Sequence, residues 1–261
     1  MYDFLWIAMC GGVIIAIPLA ILGNFLLWKK MNFLGDSVSH SAILGVALAA
    51  IFNVSSIIAI TVVCFVFSFM IVYIKKRTLI DAQSLMVVNT QISLSLGVFL
   101  IYIFKVNTSI ANSFFLGNLL GIKLEDFIYI IFIAAIVLIY LIVYYKKLLI
   151  ICIDENTARA EGIVIWYHDF LFSFLLSMVI AMAMKLIGIM IVPAILILPA
   201  LIADKMFNSI KKTIIFSITI AMFGIILGIF LSIFINVPAS ILISLILVFL
   251  FLIKLIKYSL Q

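Results

Sequence analysis

The stretch GDSVSHSAILGVALAAIF at residues 35–52 leads from a short polar segment straight into an apolar run of the kind found in membrane spans. Within the polar segment, Asp36 and His40 stand four residues apart. On a helix these two positions lie one above the other on the same face, so a carboxylate oxygen and an imidazole nitrogen can reach a common point. The spacing suits a divalent metal ion. It equally suits an Asp–His pair that stabilises a helix start at the membrane surface.

The composition places the whole chain in the membrane class. Of its 261 residues, 68% are hydrophobic and only 10% are charged, and the mean hydropathy is +1.49. An ionisable group inside a membrane span costs at least ~2.5–3.5 kcal/mol on insertion scales, so such groups usually mark a site or a pathway. The net charge of +6 does not indicate nucleic-acid binding, because the charges follow the membrane boundaries. We expect one all-α, polytopic membrane domain over residues 1–261.

The apolar runs predict about nine transmembrane helices, with eight possible, in contact with the lipid bilayer. A polar, interrupted stretch near 106–122 has an apolar centre too short to cross comfortably. It is predicted to form a re-entrant or half-helix segment on the outer side, where it is a candidate gate. The predicted spans lie near residues 4–28, 37–54, 56–74, 85–104, 127–145, 165–184, 187–203, 213–235 and 239–256.

The basic residues predict the orientation of these spans. With alternate loops assigned to one side of the membrane, thirteen of the sixteen Lys and Arg residues fall on that side. By the positive-inside rule the richer side is cytoplasmic, which puts the N-terminus outside and the C-terminus inside. We therefore expect a multi-pass membrane protein whose basic loops lie in the cytoplasm. The three basic residues on the opposite side are Lys105, Lys123 and Lys185.

A short polar helix is predicted at 154–162, between two spans on the cytoplasmic face. Asp154 is a suitable N-cap and Gly162 is placed to end the helix. Such a helix either docks against a partner or simply connects two spans in solvent. His168, which follows it, is predicted to lie at the interface rather than to bind metal.

Further polar residues and prolines interrupt the apolar spans. Asn89 and Gln91 either face a pathway or make hydrogen bonds between helices, and the second role is the commoner one. Pro193 and Pro199 predict a kink in the span at 187–203, as at transporter cavities, although proline is also commoner in membrane helices generally.

Five segments in order along the chain form a wider pattern, which covers most of its length. Together they resemble the permease subunit of ATP-binding-cassette (ABC) importers for zinc, manganese or iron, with a type II importer architecture. The segments are Gly35, Asp36, Ser39 and His40 leading to Gly45; Phe114 to Gly117; Asp154, Ala158 and Gly162; Gly188, Ala194, Pro199 and Ala200; and Pro238.

The resemblance implies roles for particular residues. Asp36 and His40 would coordinate the transported metal ion, together with the same pair from a second copy in a homodimer, and no cofactor would be bound permanently. Residues 154–162 would form the coupling helix that docks on a cytoplasmic ATPase subunit, and an extracytoplasmic solute-binding protein would deliver the ion. The coupling residues would be Asp154, Glu155, Ala158, Arg159, Glu161 and Gly162. The gate or pathway candidates are Ser39, Asn89, Gln91, Phe115, Gly117, Pro193 and Pro199.

The sequence also bears on the class of transporter. It lacks a Gly-x-x-x-x-Gly-Lys-Ser/Thr loop, so we expect a transport subunit that is not an enzyme and relies on a separate subunit for ATP hydrolysis. Neutral His and ionised Asp suit a borderline divalent cation and leave zinc, manganese and iron open. The expected function is import by alternating access. The alternatives are a permease for a chelate such as a siderophore or cobalamin, a secondary carrier coupled through Asp36 and Asp81, and a structural membrane scaffold.

Overall fold

The computed structural model describes residues 2–78, 80–106, 117 and 124–259, and every regular element in this part of the chain is an α-helix. The predicted all-α fold is confirmed. The helices are α1 (Tyr2–Trp28), α2 (Leu34–Phe52), α3 (Ser56–Arg77), α4 (Ala82–Ile103), α5 (Leu124–Val143), α6 (Tyr145–Ile153), α7 (Glu155–Ala160), α8 (Ile165–Ile187), α9 (Val192–Ala203), α10 (Ile210–Ile235) and α11 (Ala239–Ser259).

Eight of the described helices are long and apolar enough to cross a membrane, namely α1 to α5, α8, α10 and α11. Among them α2 and α8 are the most buried, and α4 and α11 lie at the periphery. Helix α2 packs against α3 and α4, α3 packs against α8, and α1 packs against α9 and α10. The core of the bundle therefore surrounds α1, α2 and α8, and it holds the helix that carries Asp36 and His40.

The span predicted at 187–203 is corrected to a shorter element. Helix α8 continues to Ile187, and the chain then turns at Gly188, whose φ is 94°. Helix α9 has only 12 residues, which makes it about 18 Å long. Pro193 lies in its first turn, where the missing N–H breaks no hydrogen bond. Apolar composition is continuous across the segment, but Gly188 and Pro193 divide it.

Contacts between helices show at which end of the bundle each helix starts or ends. Asp169, near the start of α8, accepts hydrogen bonds from Lys29 beyond α1 and from Lys76 at the end of α3. We call this end of the bundle, where α1 and α3 finish, the lysine-rich end. Asn24 Nδ2 donates to Ser217 Oγ at 2.6 Å, so α10 also starts there, antiparallel to α1. Helix α11 follows α10 after a three-residue connection and returns to the same end.

Helix α9 ends at the lysine-rich end as well. Lys254, in the last part of α11, donates to the carbonyl oxygens of Leu201 and Asp204, each at 2.6 Å. Helix α8, however, finishes at the opposite end, where Lys185 Nζ lies 2.5 Å from Asp126 Oδ1. Residues 188–203 therefore pass from one end of the bundle to the other as a turn followed by a short helix. As a result, α1 begins and α11 ends at opposite ends of the bundle.

Candidate metal-transit site

Asp36 and His40 lie within the first two turns of α2, on the same face. Asp36 Oδ1 and His40 Nε2 are 3.5 Å apart. Two ligands that bind one tetrahedral zinc ion at about 2.0–2.1 Å each are themselves about 3.3–3.4 Å apart. The pair thus already holds a spacing that a single ion can bridge. The side chains are 45% and 25% exposed, although most of α2 is buried.

The second ring nitrogen of His40, which does not face Asp36, has an unusual environment. Its Nδ1 atom is buried and has no hydrogen-bond partner among the residues that the structure describes. Leaving a buried polar atom unpaired costs about 1–3 kcal/mol. Native structures keep few such atoms, and those that remain often have a functional reason. The position of His40 is therefore poorly explained by stability alone.

The two side chains form only part of a metal site. Within the described ranges, no group of three or more His, Cys, Asp or Glu side chains is placed to hold a metal ion. Zinc sites that hold their metal permanently usually have four protein ligands. One protomer, as far as it is described, offers a two-ligand site on the outside of its bundle.

A buried polar network joins α2 to α4 behind this site. Asn89 Nδ2 donates to Ser37 Oγ at 2.7 Å and to Ser41 Oγ at 3.2 Å, and Ser41 and Ser93 are linked at 3.0 Å. Asn89 therefore makes the interhelical hydrogen bonds that are one of its two predicted roles. Because Ser37 and Ser41 face α4, the network fixes the rotation of α2 and directs Asp36 and His40 away from α4.

Gln91 lies on the opposite face of α4 from Asn89. It is exposed, as are Ser84 and Ser95, and these three polar residues lie in one row at helical spacing together with the exposed, apolar Val88. No hydrogen bond from Gln91 to another helix is found among the described residues. Polar groups on the outer face of a membrane helix are unfavourable in hydrocarbon. Ser84, Gln91 and Ser95 are better suited to protein or water than to lipid.

Three other pathway candidates lie in the interior or at a helix start. Ser39 is fully buried and donates to the carbonyl oxygen of Gly35 at 2.7 Å, so it does not line an open pathway in this structure. Pro193 starts α9 instead of kinking a longer helix, and Pro199 is buried inside α9. The prediction that both prolines kink one continuous span is therefore wrong.

Gly117 marks a close contact at the end opposite the lysine-rich end. Its φ is 70°, and a Cβ atom there would lie 2.4 Å from the carbonyl carbon of Ile187 and 2.5 Å from the nitrogen of Gly188. Only glycine fits between this backbone and the turn that precedes α9. Phe115 and, apart from Val106 and Gly117, the half-helix predicted near 106–122 lie outside the described residues.

Helix α7 is capped as its sequence predicts. The Asp154 carboxylate accepts from the backbone N–H groups of Asn156 and Thr157 and from the Thr157 hydroxyl, at 3.1, 3.0 and 2.7 Å. These bonds lower the pKa of Asp154, with the Thr157 hydroxyl contributing most. At the other end, Gly162 has a φ of 74° and closes the helix through a hydrogen bond to the Arg159 carbonyl.

The residues of α7 divide between two faces. Glu155, Arg159 and Glu161 are exposed and available to a partner. Ala158 is fully buried against Ile151 and Ile165. The prediction that Ala158 contacts a partner subunit is therefore corrected, because its small side chain seats α7 on the bundle.

The start of α8 carries a charged cluster that the sequence analysis missed. Asp169 is buried between Lys29, at 2.7 Å, and Lys76. His168 is also buried, and its Nδ1 lies 3.3 Å from the Tyr140 hydroxyl, so the predicted interfacial position is wrong. The sequence does contain a signal for this cluster. A carboxylate stands near the start of one apolar span, and two other spans end in lysines that can reach it.

Asp81, which a coupled secondary carrier would use together with Asp36, has a local role. It is the N-cap of α4, and its exposed side chain accepts from the backbone N–H of Gln83 at 3.0 Å. A cap of this kind explains the aspartate fully. Of the two carboxylates that the carrier hypothesis needs, only Asp36 lies within a membrane helix.

A family model described as the ABC 3 transport family matches residues 1–258. The chain belongs to the ABC 3 transport family. The predicted resemblance, to the membrane permeases of ABC importers for zinc, manganese or iron, is confirmed for permeases of zinc and manganese importers.

Curated relatives of this ABC 3 permease are named for two metals. It is 33% identical over 258 residues to the high-affinity zinc uptake system membrane protein ZnuB of Haemophilus influenzae, covering 98% of each chain. It is 29% identical over 216 residues to the manganese import system permease protein ScaB of Streptococcus gordonii, covering 83% of this chain and 77% of the relative. It is 27% identical over 218 residues to the manganese transport system membrane protein MntC of Listeria monocytogenes, covering 84% and 78%.

Two solved structures resemble this ABC 3 permease. PsaBC from Streptococcus pneumoniae in complex with Fab superposes with a TM-score of 0.85 at 29% identity, covering 96% of this chain and 90% of that one. An inward-facing transporter described as metal-chelate type superposes with a TM-score of 0.74 at 20% identity, covering 96% and 85%. The second likeness shows a shared fold.

Proposed function

We propose that this ABC 3 permease imports a divalent transition-metal ion in an ATP-driven complex and that Asp36 and His40 bind the ion in transit. The observation that carries the proposal is the 3.5 Å separation of Asp36 Oδ1 and His40 Nε2 on the partly exposed side of a buried helix. An ion held by few ligands is easily released, which a transport site requires as much as capture. ATP hydrolysis is assigned to a separate subunit, because the chain has no phosphate-binding loop.

Zinc is the first candidate for the ion. One nitrogen and one oxygen ligand suit zinc, and a given set of such ligands binds zinc more tightly than manganese. The relative that matches 98% of the chain is named for zinc uptake. Manganese is the second candidate, because a carboxylate also suits it and two further relatives are named for manganese.

A second copy of the chain would complete the site. One described protomer offers two ligands, and a homodimer would bring two Asp36–His40 pairs to a shared pathway. Three exposed polar side chains of α4, Ser84, Gln91 and Ser95, support this arrangement, because each is more stable against protein or a water-filled pathway than against lipid. The orientation with the N-terminus outside and the C-terminus inside remains the one that the positive-inside rule predicts.

Helix α7 would be the coupling helix, and an extracytoplasmic solute-binding protein would deliver the ion to the other side. Glu155 and Arg159 on α7 and Glu161 directly after it are exposed, so they are available to an ATPase subunit. Helix α7 packs against α6 and α8, and α8 packs against α2. A push on α7 would therefore reach the helix that carries the metal ligands and would expose them alternately to the two sides.

Metal retention by the purified complex tests the ligand assignment. In equilibrium dialysis against zinc-containing buffer, the wild-type complex should retain zinc above the level of the buffer, measured by inductively coupled plasma mass spectrometry, whereas Asp36→Asn and His40→Gln should not. The matched controls are Asp81→Asn and His168→Gln, which change the same residue types away from the site. Equal zinc retention in the site variants and the controls would contradict the assignment.

Co-purification tests the docking of α7. Arg159→Glu reverses a charge on the exposed face and should abolish recovery of the ATPase subunit with the tagged permease. Lys211→Glu makes the same change at an exposed residue at the start of α10 and should leave recovery unchanged. Full recovery with Arg159→Glu would exclude that face as the docking surface.

A further inference from the structure

A cavity of about 510 Å³ opens at the lysine-rich end, beneath α7. One side is formed where α1 and α3 finish and the other by α6, α7 and the start of α8. It is distinct from the Asp36–His40 pair, which does not line it. The lining residues with ionisable side chains, apart from Cys152, are Lys29, Lys30, Lys75, Lys76, Asp154, Glu155, Arg159 and Asp169.

The charges of this cavity are not balanced. Five of these side chains are cationic and three are carboxylates. Lys29 and Lys76 share the single carboxylate of Asp169, and Asp154 is occupied in capping α7. Lys30 and Lys75, by contrast, have no ion-pair partner among the residues that the structure describes. Two lysines facing one cavity without a counter-charge favour an anionic ligand.

The cavity also has an apolar part at the level where the spans end. Trp28, Met31, Val72 and Ile153 line it, and the side chain of Ile153 is largely exposed. Tryptophan at the end of a span is typical of the headgroup level of a membrane. Basic pockets between membrane helices at this level are a recognised form of binding site for anionic lipid headgroups.

We propose that this cavity binds the phosphate headgroup of an anionic phospholipid, with Lys30 and Lys75 contacting the phosphate and Trp28 and Ile153 contacting the glycerol ester region. The bound lipid would connect α7 to the ends of α1 and α3. Inorganic phosphate carries the same charged group without the apolar part, and an acidic segment of a partner subunit would carry carboxylates instead. The lipid is favoured because the lining is basic and apolar together.

Retention of lipid by the full chain tests the proposal. The chain is purified in neutral detergent, offered phosphatidylglycerol or phosphatidylcholine, and analysed by native mass spectrometry. Wild type should retain phosphatidylglycerol and not phosphatidylcholine. The double variant Lys30→Gln/Lys75→Gln should weaken the binding of phosphatidylglycerol roughly 30-fold, since each lysine contributes about 1 kcal/mol. The double variant Lys211→Gln/Lys212→Gln removes the same charge from exposed residues outside the cavity and should behave as wild type.

The remaining outcomes separate the possible ligands. Lys30→Arg/Lys75→Arg keeps the charge and should restore retention. Equal loss in both glutamine variants, or equal retention of the two lipids, would overturn the proposal. Protection against heat by inorganic phosphate alone, equal to that by phosphatidylglycerol, would assign the cavity to a free anion. If the Lys30→Gln/Lys75→Gln variant still retained lipid but no longer co-purified with the ATPase subunit, the cavity would be assigned to an acidic segment of that partner.

Discussion

The chain has two histidines, and their surroundings give them different roles. His40 is partly exposed, points one nitrogen at a carboxylate and leaves the other without a partner in the described structure. His168 is buried, and its Nδ1 faces the hydroxyl of Tyr140. A partly satisfied imidazole beside a carboxylate is suited to binding an ion, whereas a buried imidazole with a neighbouring hydroxyl is suited to packing.

We expect His168→Gln to affect stability and not transport. The substitution weakens the contact with Tyr140, and a lost hydrogen bond of this kind costs about 1 kcal/mol. Thermal denaturation of the detergent-solubilised protein should shift to lower temperature, while the initial rate of metal uptake stays near that of wild type. A loss of uptake without a loss of thermal stability would show instead that His168 handles the metal.

At the scale of the elements, α7 and α9 differ in how far local sequence determines them. Helix α7 is bounded by Asp154 and Gly162, whose effects are confined to one turn on either side, so both its start and its end were predictable. Helix α9 is shorter than its apolar run because Gly188 turns the chain and Pro193 restarts it. Hydropathy alone does not register such a break, since no residue from 186 to 203 is polar or charged.

Docking through α7 should depend on pH only under acidic conditions. The pKa of Asp154 is lowered from its ordinary value of 3.8, because Thr157 and Asn156 donate to the ionised carboxylate. The cap therefore contributes fully above the ordinary pKa and is lost as the pH falls through the lowered value. Co-purification of the ATPase subunit should be constant from about pH 8 to about pH 5. A decline that begins near neutrality and persists in Asp154→Asn would exclude this carboxylate as its cause.

The crossing of α1 and α9 should tolerate only glycine at one position. A Cβ atom on Gly23 would lie 1.7 Å from the carbonyl oxygen of Leu196, which is backbone and cannot rotate away. Gly23→Ala should destabilise the protein by roughly 1–3 kcal/mol or more, as overpacking does. Gly12→Ala is the control in the same helix, because the new atom would meet only side chains, those of Ile225 at 2.9 Å and Ile229 at 3.9 Å. Equal thermal stability of the two variants would contradict the close crossing.

At the scale of the whole molecule, the membrane made the class predictable and left the packing undetermined. Long apolar runs and clustered lysines follow from the bilayer itself, so the helical bundle and the sides of its loops could be inferred. The proximity of Asp36 and His40 was predictable because they lie four residues apart on one helix. The face on which Gln91 lies and the partners of Asp169 depend on which helices become neighbours, and spacing along the chain carries no such information.

The ionic cluster at the lysine-rich end should hold three helices together. Asp169→Asn would leave Lys29 and Lys76 close together without a counter-charge, and breaking a buried ion pair in this way costs on the order of 3 kcal/mol. We expect a marked fall in thermal stability. The control Asp81→Asn removes an exposed carboxylate while retaining a capping side chain, and should change little. Equal stability of the two variants would mean that the cluster does not stabilise the bundle.

The most direct test of the account is ATP-dependent metal uptake into proteoliposomes that contain this permease, its ATPase subunit and its metal-delivery protein. The account predicts that wild type accumulates zinc or manganese only when ATP is present. It also predicts that Asp36→Asn and His40→Gln each reduce the initial rate by roughly 100-fold or more, equivalent to about 2.7 kcal/mol, without loss of complex assembly. Uptake at the wild-type rate by either variant, or metal movement that does not require ATP, would contradict it.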